Sequence, residues 1–327
     1  MRTPSRTITQ RHLAATCFAL MVMLFFASES HANPEDGIVT AGQATITTSI
    51  NTVDIYQQSD RTVIDWRSFN IAPNERTEFH QPSANAIALN RVHSSQASVI
   101  NGALKANGNV VIINQNGVAF GSQANVDVNG LVATSADVDN AQFMNHRAMT
   151  FDKPGAANAA IINDGNITAK DSGLVGFIAP HVQNNGVITA RLGRVHLAAG
   201  DTTTLDFYGD GLLEVAMSDD AEKALVKNTG TIATDGGTIA LTAATGRKLL
   251  SSAIEVQGSL SAQSVGVNNG TITIAGLGKN TALTSASSNV QIAGNIDASG
   301  TGLGTKGGTI TITADNVVLA SNTRITA

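Results

Sequence analysis

The strongest constraint on the fold is a short phrase that recurs along the second half of the chain. It reads IINDGNITA from Ile161 and VQNNGVITA from Val182, and looser copies follow. The glycines Gly165 and Gly186 are 21 residues apart, and Gly230 follows after 44 residues, which is twice 22. Repetition at about 20 residues, built from strands and turns, is typical of a solenoid.

A second phrase lies between these copies and alternates apolar with polar residues. It reads GRVHLAA from Gly193, GTIALTA from Gly237 and GTITITA from Gly308. Alternation with a period of two predicts strands with one face turned inward. The sequence therefore predicts an all-β protein, a right-handed parallel β-helix with N-terminal capping strands and short excursions. The 295 residues that follow residue 32 (327 − 32) would allow about 14 coils of ~21 residues.

Three segments depart from the repeat. SDDAEKALVK at 218–227 places acidic residues before an apolar run and predicts a short helix or excursion. TLDFYGDGLL at 204–213 predicts another non-repeating excursion. Trp66 and Phe69 are large side chains in an irregular N-terminal region. We expect them to cap one end of the solenoid, because an uncapped end exposes strand edges.

Residues 1–32 have the pattern of a signal peptide. Arg2, Arg6 and Arg11 precede an apolar run of 15 residues at 13–27, and small residues then lead to Ala32. This pattern predicts export and cleavage after Ala32. An uncleaved membrane anchor is the alternative, but the run is shorter than the ~20 residues that cross a bilayer.

Composition argues against several classes of function. The only cysteine, Cys17, lies in the predicted signal peptide, so the exported chain would need no oxidative folding. Beyond residue 32 there are 17 basic and 24 acidic residues without a basic run, which argues against a nucleic-acid partner. The sequence has no paired-histidine metal motif, nucleophile elbow or phosphate loop, and its acidic residues do not recur in register. We therefore predict no enzymatic activity, metal or cofactor.

Several blocks in the first half resemble a known family. They include TVIDWRSFN from Thr62, FHQP from Phe79, LNRV from Leu89, ANGNVVIINQNGVAFG from Ala106 and NGLVATS from Asn129. In this order they resemble the N-terminal secretion domain of filamentous-haemagglutinin-like exoproteins, the exported partners of two-partner secretion systems. The resemblance covers about residues 38–250. It divides the chain into a signal peptide (1–32), a secretion domain (33–250) and continuing β-helical repeats (251–327).

The resemblance implies a function and a partner. The function would be that of a non-enzymatic adhesin or haemagglutinin, secreted or held at the cell surface after passage through the periplasm. The partner would be an outer-membrane β-barrel transporter with periplasmic recognition domains, and a downstream region would bind a host-cell or surface receptor. Transporter recognition would fall to the residues Asn90, Arg91, Asn114, Gln115, Asn116 and Gly117. The family usually has proline where this chain has Gln115, which puts the efficiency of secretion in doubt.

Alternatives remain open at each of these positions. Asn114 and Asn116 are first of all expected to serve the turn itself or to stack in a ladder, and direct reading by the transporter comes second. Arg91 is expected to pair with a buried carboxylate such as Asp65 or Glu78. The other function considered is an exported β-helix that binds or degrades polysaccharide, which would need a groove of stacked acids and aromatics. The chain ends within a repeat, as expected of a fragment, a truncated gene or a short family member.

Overall fold

The computed structural model describes residues 33–145, 148–206, 211–216, 223–244, 251–277, 288–300, 302 and 304–327. The predicted signal peptide and its cleavage site at Ala32 lie outside these residues. The first part of the described chain contains twelve strands. They are β1 (Ile38–Ala41), β2 (Ala44–Thr48), β3 (Thr52–Gln57), β4 (Arg61–Trp66), β5 (Arg76–His80), β6 (Ile87–Val92), β7 (Ser98–Ile100), β8 (Ala103–Ala106), β9 (Asn109–Asn114), β10 (Gly117–Phe120), β11 (Asn125–Val128) and β12 (Gly130–Thr134).

The remaining described chain continues this pattern after a short helix. Its elements are α1 (Asn140–Asn145), β13 (Ala148–Phe151), β14 (Ala160–Asn163), β15 (Asn166–Ala169), β16 (Leu174–Ala179), β17 (His181–Asn184), β18 (Val187–Thr189), β19 (Arg194–Ala199), β20 (Thr202–Asp206), β21 (Gly211–Ala216), β22 (Lys223–Asn228), β23 (Thr231–Ala233), β24 (Thr238–Ala244), β25 (Ser251–Val256), β26 (Ser259–Ser261), β27 (Thr271–Leu277), β28 (Ser288–Ile292), β29 (Asn295–Asp297), β30 (Thr309–Thr313), β31 (Asn316–Leu319) and β32 (Arg324–Thr326).

Three long sheets form the walls of a parallel β-helix, which confirms the predicted fold class. Sheet 1 has the order β1-β4-β6-β9-β12-β16-β19-β24-β27-β30. Sheet 2 has the order β7-β10-β14-β17-β22-β25-β28-β31, and sheet 3 has β2-β3-β5-β8-β11-β15-β18-β23-β26-β29-β32. From β6 onward the chain visits the three walls in turn, and each strand of the walls pairs in parallel with its counterparts on adjacent coils. The exceptions in these walls are β1 and β2, which pair antiparallel with β4 and β3.

The estimate of about 14 coils is too high for the described part of the chain. Sheet 1 contains nine strands from β4 to β30. Some coils have the predicted length, since Asn109 pairs with Gly130, 21 residues later. Others are longer: Arg194 pairs with Thr238, 44 residues later. Excursions and long turns occupy the residues that the estimate assigned to additional coils.

The N-terminal antiparallel strands cover the first coil, as predicted. Trp66 at the end of β4 is 1% exposed, and its ring contacts Phe69 edge to face with centroids 5.6 Å apart. Gly37 lies so close to this ring that a β-carbon there would approach Trp66 within 2.4 Å. The two aromatic rings therefore fill the interior of the first coil. The cap itself is formed by β1 and β2, so the expectation that Trp66 and Phe69 form it is wrong.

Sheet 1 is buried on both faces in β9, β12 and β16, whereas its last strands, β24 and β30, alternate toward a more exposed outer face. Its inner face packs into the solenoid core with residues such as Ile64, Val110 and Leu131. Its outer face carries a second apolar cluster that includes Leu89 and Phe143, and Phe143 belongs to α1. A small antiparallel sheet, ordered β13-β20-β21, adds residues to this outer cluster.

This small sheet is built from two excursions. The first lies between β12 and β14, and the second lies between β19 and β22. The excursion predicted at 204–213 is confirmed, because β20 and β21 pair antiparallel outside the coil. The short helix or excursion predicted at 218–227 is wrong over 223–227, because these residues belong to β22, a strand of sheet 2 within the coil. Residues 218–222 lie outside the described residues. Val226 pairs with Val182 and Ile254 on the adjacent coils, so stacking overrides local helix propensity there.

A ladder of asparagines runs along the corner between sheets 2 and 3. Nδ2 of Asn163 donates to Oδ1 of Asn184 at 2.8 Å, and Nδ2 of Asn184 donates to Oδ1 of Asn228 at 2.8 Å. All three side chains are fully buried. The recurring Asn-x-Gly phrase therefore satisfies buried amides across coils.

We expect Asn184→Ala to lower the free energy of unfolding by about 2–4 kcal/mol, because it strands one buried donor and one buried acceptor. Urea denaturation of the purified chain measures this change. The matched control is Asn185→Ala in the same turn, whose side chain is exposed. We expect it to cost less than about 1 kcal/mol; an equal loss in both variants would contradict the role assigned to the ladder.

Candidate functional site

The turn predicted to take part in secretion closes the corner between sheet 1 and sheet 2. It joins β9, which ends at Asn114, to β10, which begins at Gly117. On the preceding coil, Val92 pairs with Asn114, and on the following coil Ala160 pairs with Gly117. The turn is therefore held between coils on both sides.

Asn114 fastens this turn to the preceding coil. Its side chain is fully buried. Its Nδ2 donates to the carbonyl of Gln96 and to Oγ of Ser98, both at 3.0 Å. Its Oδ1 accepts from the backbone N–H of Asn116 at 2.9 Å. This last contact is an Asx turn, in which the side chain replaces a backbone acceptor.

Asn116 and Gly117 complete the same arrangement. Nδ2 of Asn116 donates to the carbonyl of Ser94 at 2.9 Å, so a second amide holds the preceding turn. Gly117 has φ of 104°, and a β-carbon there would lie 2.3 Å from the carbonyl oxygen of Ala160. Only glycine fits this position without strain. Neither asparagine belongs to the ladder, so the predicted stacking occurs elsewhere, at Asn163, Asn184 and Asn228.

Gln115 is the part of the turn that faces outward. Gln115 is exposed, whereas Asn114 and Gly117 are buried. Its backbone carbonyl accepts from the N–H of Ala156 at 2.8 Å, which ties the turn to the first excursion. A partner that reads the folded turn would therefore meet Gln115 before either asparagine.

Arg91 clamps the first excursion onto sheet 1. Its Nε lies 2.9 and 3.0 Å from the two carboxylate oxygens of Asp137, and its Nη1 lies 3.2 Å from Oδ1 of Asp65. Its Nη2 donates to the carbonyl of Val138 at 2.8 Å. The predicted pairing with Asp65 is present, whereas Glu78 pairs with Arg76 instead.

Asn90 satisfies a buried polar group in the core. Its Oδ1 accepts from Nε1 of Trp66 at 3.0 Å. Its Nδ2 donates to the carbonyls of Ala88 and Val111 at 3.3 and 3.2 Å. Because Asn90 is fully buried, the folded chain offers it to no partner. Asn90 and Arg91 thus point to opposite faces of β6, one to the core and one to the excursion.

Sequence reasoning missed two residues of this region. Asp137, the closer partner of Arg91, lies 46 residues away in an excursion, and nothing in its local sequence marks it. The second is Gln81, which is buried. Its Nε2 donates to Oε1 of Gln57 at 3.1 Å and to the carbonyl of Asn109 at 3.2 Å, and its Oε1 accepts from the N–H of Gly108 at 2.9 Å. Gln81 lies in the FHQP block, and that block was the one feature of the sequence that could have indicated its role.

One group of side chains has metal-binding chemistry. Single ligand atoms of Asp54, Glu78 and His80 on sheet 3 lie within 4.8 Å of one another. However, Arg76 already pairs with Asp54 at 3.3 Å and with Glu78 at 2.6 Å. The ring of His80 also stacks on Tyr56 with centroids 4.6 Å apart. This group is a compensated charge network on the outer face of sheet 3.

A family model for the TPS secretion domain matches residues 30–292. The chain belongs to the TPS secretion domain family. The resemblance inferred from the sequence blocks is therefore confirmed. Domains of this family are secretion domains of exoproteins, which pass through the periplasm and outer membrane with the help of a transporter. The division at residue 250 stays a prediction.

Two relatives of this TPS domain are heme/hemopexin-binding proteins from Haemophilus influenzae. One, from strain Rd, is 34% identical over 225 residues, which cover 65% of this chain and 24% of the relative. The other is 30% identical over 248 residues, which cover 69% of this chain and 26% of the relative. The chain therefore spans about a quarter of the length of these two proteins.

The fold of this TPS domain is similar to that of a solved structure. The HMW1 secretion domain from Haemophilus influenzae superposes with a TM-score of 0.59 at 22% identity, over 90% of this chain and all of the solved one. This similarity supports the β-helix alone. In the described part of the chain, no helix has the length and hydropathy of a membrane span.

Proposed function

We propose that this chain is the exported partner of a two-partner secretion system and that its TPS domain directs it through a cognate outer-membrane transporter. The match of the family model to residues 30–292 carries this proposal. The predicted signal peptide takes the chain across the inner membrane and is cleaved after Ala32. The secretion domain then engages the periplasmic domains of the transporter.

Folding outside the cell would favour outward movement. The largest fully buried side chains are Trp66, Phe69, Phe79, Phe120, Phe143, Phe151 and Phe177, all in the N-terminal part of the described chain. Coils with large apolar side chains gain the most from burial, so the first coil, with Trp66, Phe69 and Phe79, forms a base. Phe143 and Phe151 belong to the first excursion and pack on the outside of sheet 1. Each later coil then docks on the one before it, which disfavours return.

The role of the Asn114–Gly117 turn in export is, in this proposal, to close its coil. The amide groups of Asn114 and Asn116 are used in contacts with the preceding coil. A chain with a weakened turn folds less readily outside the transporter, so export and stability should fall together. Direct reading by the transporter would instead depend on exposed Gln115.

We expect Asn114→Ala to lower both export and stability, the latter by about 2 kcal/mol, because the Ser98 hydroxyl and the Asn116 N–H lose a buried partner. The experiment expresses the chain with and without its cognate transporter and measures protein in the medium and the periplasm. Urea denaturation of the purified variants gives their stability. Gln115→Ala is the matched control in the same turn and should retain both properties.

Two outcomes would contradict parts of this proposal. If wild-type protein reaches the medium equally well without the transporter, two-partner secretion is wrong. If Gln115→Ala loses export while its stability is unchanged, the turn is read directly and the coil-closing role is secondary. Loss of export in Asn114→Ala without loss of stability would have the same meaning.

We further propose that the exported protein is non-enzymatic and acts at the cell surface or in the medium as an adhesin or haemagglutinin. The names of the two relatives favour a second candidate, a protein that binds heme or hemopexin. A heme titration of the full chain, followed by visible absorption, and pull-down with hemopexin distinguish the candidates. Saturable binding of heme or hemopexin would support the heme- or hemopexin-binding candidate. Agglutination of erythrocytes without such binding would support the adhesin or haemagglutinin.

A further inference from the structure

An open groove of about 680 Å³ runs along the corner between sheets 2 and 3 in the C-terminal coils. Its floor is a column of glycines, Gly230, Gly258 and Gly294. A β-carbon at Gly258 or Gly294 would lie 2.0 Å from the carbonyl oxygen of the preceding glycine in the column. Glycine is therefore required where adjacent coils approach closely, and no side chain projects from this column into the groove.

The groove walls repeat from coil to coil. Thr231, Ser259, Asn295 and Arg324 pair in register on sheet 3, so their side chains form one polar column along the groove. Four coils separated by ~4.8 Å give a track of roughly 14 Å. Hydroxyl, amide and guanidinium groups are thus presented at regular intervals.

We propose that this groove binds a linear, neutral, hydroxyl-rich glycan lying parallel to the solenoid axis. The spacing of coils is close to the length of one sugar unit in an extended glycan, so successive sugars meet successive members of this column: two hydroxyls, an amide and a guanidinium. Hydroxyl and amide side chains can donate to and accept from sugar hydroxyls. The residues that line the groove include a single acid and no aromatic, unlike the stacked acids and aromatics expected of a polysaccharide site, so recognition here rests on hydrogen bonds. The inference is independent of the route of secretion.

Charge in the groove favours a neutral ligand. Arg324 and Asp297 both line it. Burial alone would raise the pKa of Asp297, but hydrogen bonds from Ser299 and Gln263 and the charge of Arg324 lower it overall. Asp297 thus stays ionised near neutral pH and balances Arg324, so the groove carries no excess charge to attract an anionic polymer.

Other extended polymers fit less well. A peptide usually binds by adding a strand to a sheet edge with pockets for alternate side chains. This groove lies on a sheet face and corner whose backbone is paired between coils. Nucleic acid would require several basic contacts, and Arg324 is the one basic residue among those that line the groove.

Asn295 adds an independent observation. Its Oδ1 is shielded from solvent and has no hydrogen-bond partner among the described residues. A shielded acceptor without a partner is unfavourable. Rotation of this side chain toward the groove would let a sugar hydroxyl donate to it. Asn295 is therefore the residue expected to contribute most to recognition.

The test is isothermal titration calorimetry of the purified full chain with cellohexaose, cellobiose and hexagalacturonic acid. We expect cellohexaose to bind with a dissociation constant of about 0.1–1 mM, since an open groove buries little of its ligand. Cellobiose, which spans fewer coils, should bind at least tenfold more weakly, and hexagalacturonic acid should bind no better than cellohexaose.

Two variants locate the site. Asn295→Ala should weaken cellohexaose at least tenfold, and Thr231→Ala, which removes an exposed hydroxyl, should weaken it about threefold. Asn166→Ala is the matched control, because Asn166 occupies the same register column on an earlier coil outside the groove. Circular dichroism establishes that each variant is folded. If Asn295→Ala does not fold, the affinity of Thr231→Ala for cellohexaose tests the site instead. Absence of saturable binding, unchanged binding in the folded groove variants or preference for the acidic hexamer would overturn the proposal.

Discussion

Replacing Arg91 with leucine is expected to lower the free energy of unfolding by about 3–5 kcal/mol, because removing one member of a buried ion pair leaves unpaired charge. Arg91 is 13% exposed, and Asp137 and Asp65 are 17% and 22% exposed. In the variant Asp137 loses its cationic partner, whereas Asp65 keeps its contact with Nε2 of His93 at 3.3 Å. Urea denaturation monitored by tryptophan fluorescence measures the loss, since Trp66 lies in β4, the strand that pairs with β6.

Arg67→Ala is the control for this substitution. Arg67 also contacts two carboxylates, Glu35 at 2.9 Å and Asp36 at 2.6 Å. Its side chain is 63% exposed, and its hydrogen bond to Asp36 is the main cause of its raised pKa. Exposed ion pairs contribute little to the free energy of unfolding, so the urea midpoint of Arg67→Ala should stay unchanged. Equal losses in Arg67→Ala and Arg91→Leu would show that burial does not set the value of the Arg91 contacts.

The Arg91 substitution should also report on the first excursion. Nη2 of Arg91 donates to the carbonyl of Val138, just before α1. Without this clamp, Phe143 and the outer apolar cluster lose part of their anchorage to sheet 1. Hydrogen exchange should then accelerate in 135–159 before it accelerates in the coils. Retained protection in that segment would contradict the clamp.

The regular part of this fold was predictable because its physical cause is local. Alternation in GTIALTA places Ile239 and Leu241 in the core, where both are fully buried. The Asn-x-Gly phrase marks the corner between sheets 2 and 3 on three coils, where a buried amide and a side-chain-free position lie together. On the next two coils Val256 and Ile292 take the asparagine's register position, and only the glycine recurs. Repetition reveals such requirements even in a single sequence.

The irregular part depends on contacts that the sequence does not display. Arg91 was expected to pair with Asp65 or Glu78, and the structure adds Asp137 from an excursion whose position no local pattern specifies. Val226 lies in a segment with local helix signals, but its neighbours Val182 and Ile254 hold it in a strand. In both cases a contact between residues far apart in the sequence determines the structure: an ion pair at Arg91 and strand pairing between coils at Val226.

The candidate secretion turn was located from the sequence, but its mechanism was not. The residue types of Asn114 and Gly117 indicated a tight turn, and the structure places one there. The contacts of Asn114 with Gln96 and Ser98 could not be anticipated, because they join adjacent coils. The exposure of Gln115 between two fixed asparagines also depends on that packing.

The second large effect is expected at the glycine column of the repeat. Gly186→Ala should lower the free energy of unfolding by about 3 kcal/mol or more, because overpacking against fixed backbone cannot be relieved by a rotamer change. A β-carbon at Gly186 would lie 2.1 Å from the carbonyl oxygen of Gly165 on the preceding coil. The coils must then separate locally, which weakens the neighbouring Asn163–Asn184 hydrogen bond.

Gly176→Ala is the control, because it adds the same methyl group within the buried strand β16, whereas Gly186 lies in the turn between β17 and β18. The nearest atom to a β-carbon at Gly176 is Cγ2 of Val132 at 3.4 Å, an ordinary contact. We expect little change in the free energy of unfolding of Gly176→Ala, since the added methyl group meets a side chain at a normal distance. In a solenoid each coil contacts only its neighbours, so damage at Gly186 should divide the unfolding curve into two transitions. A single, unshifted transition in Gly186→Ala would mean that the column is spaced more loosely than its contacts imply, and that glycine recurs there for the turn alone.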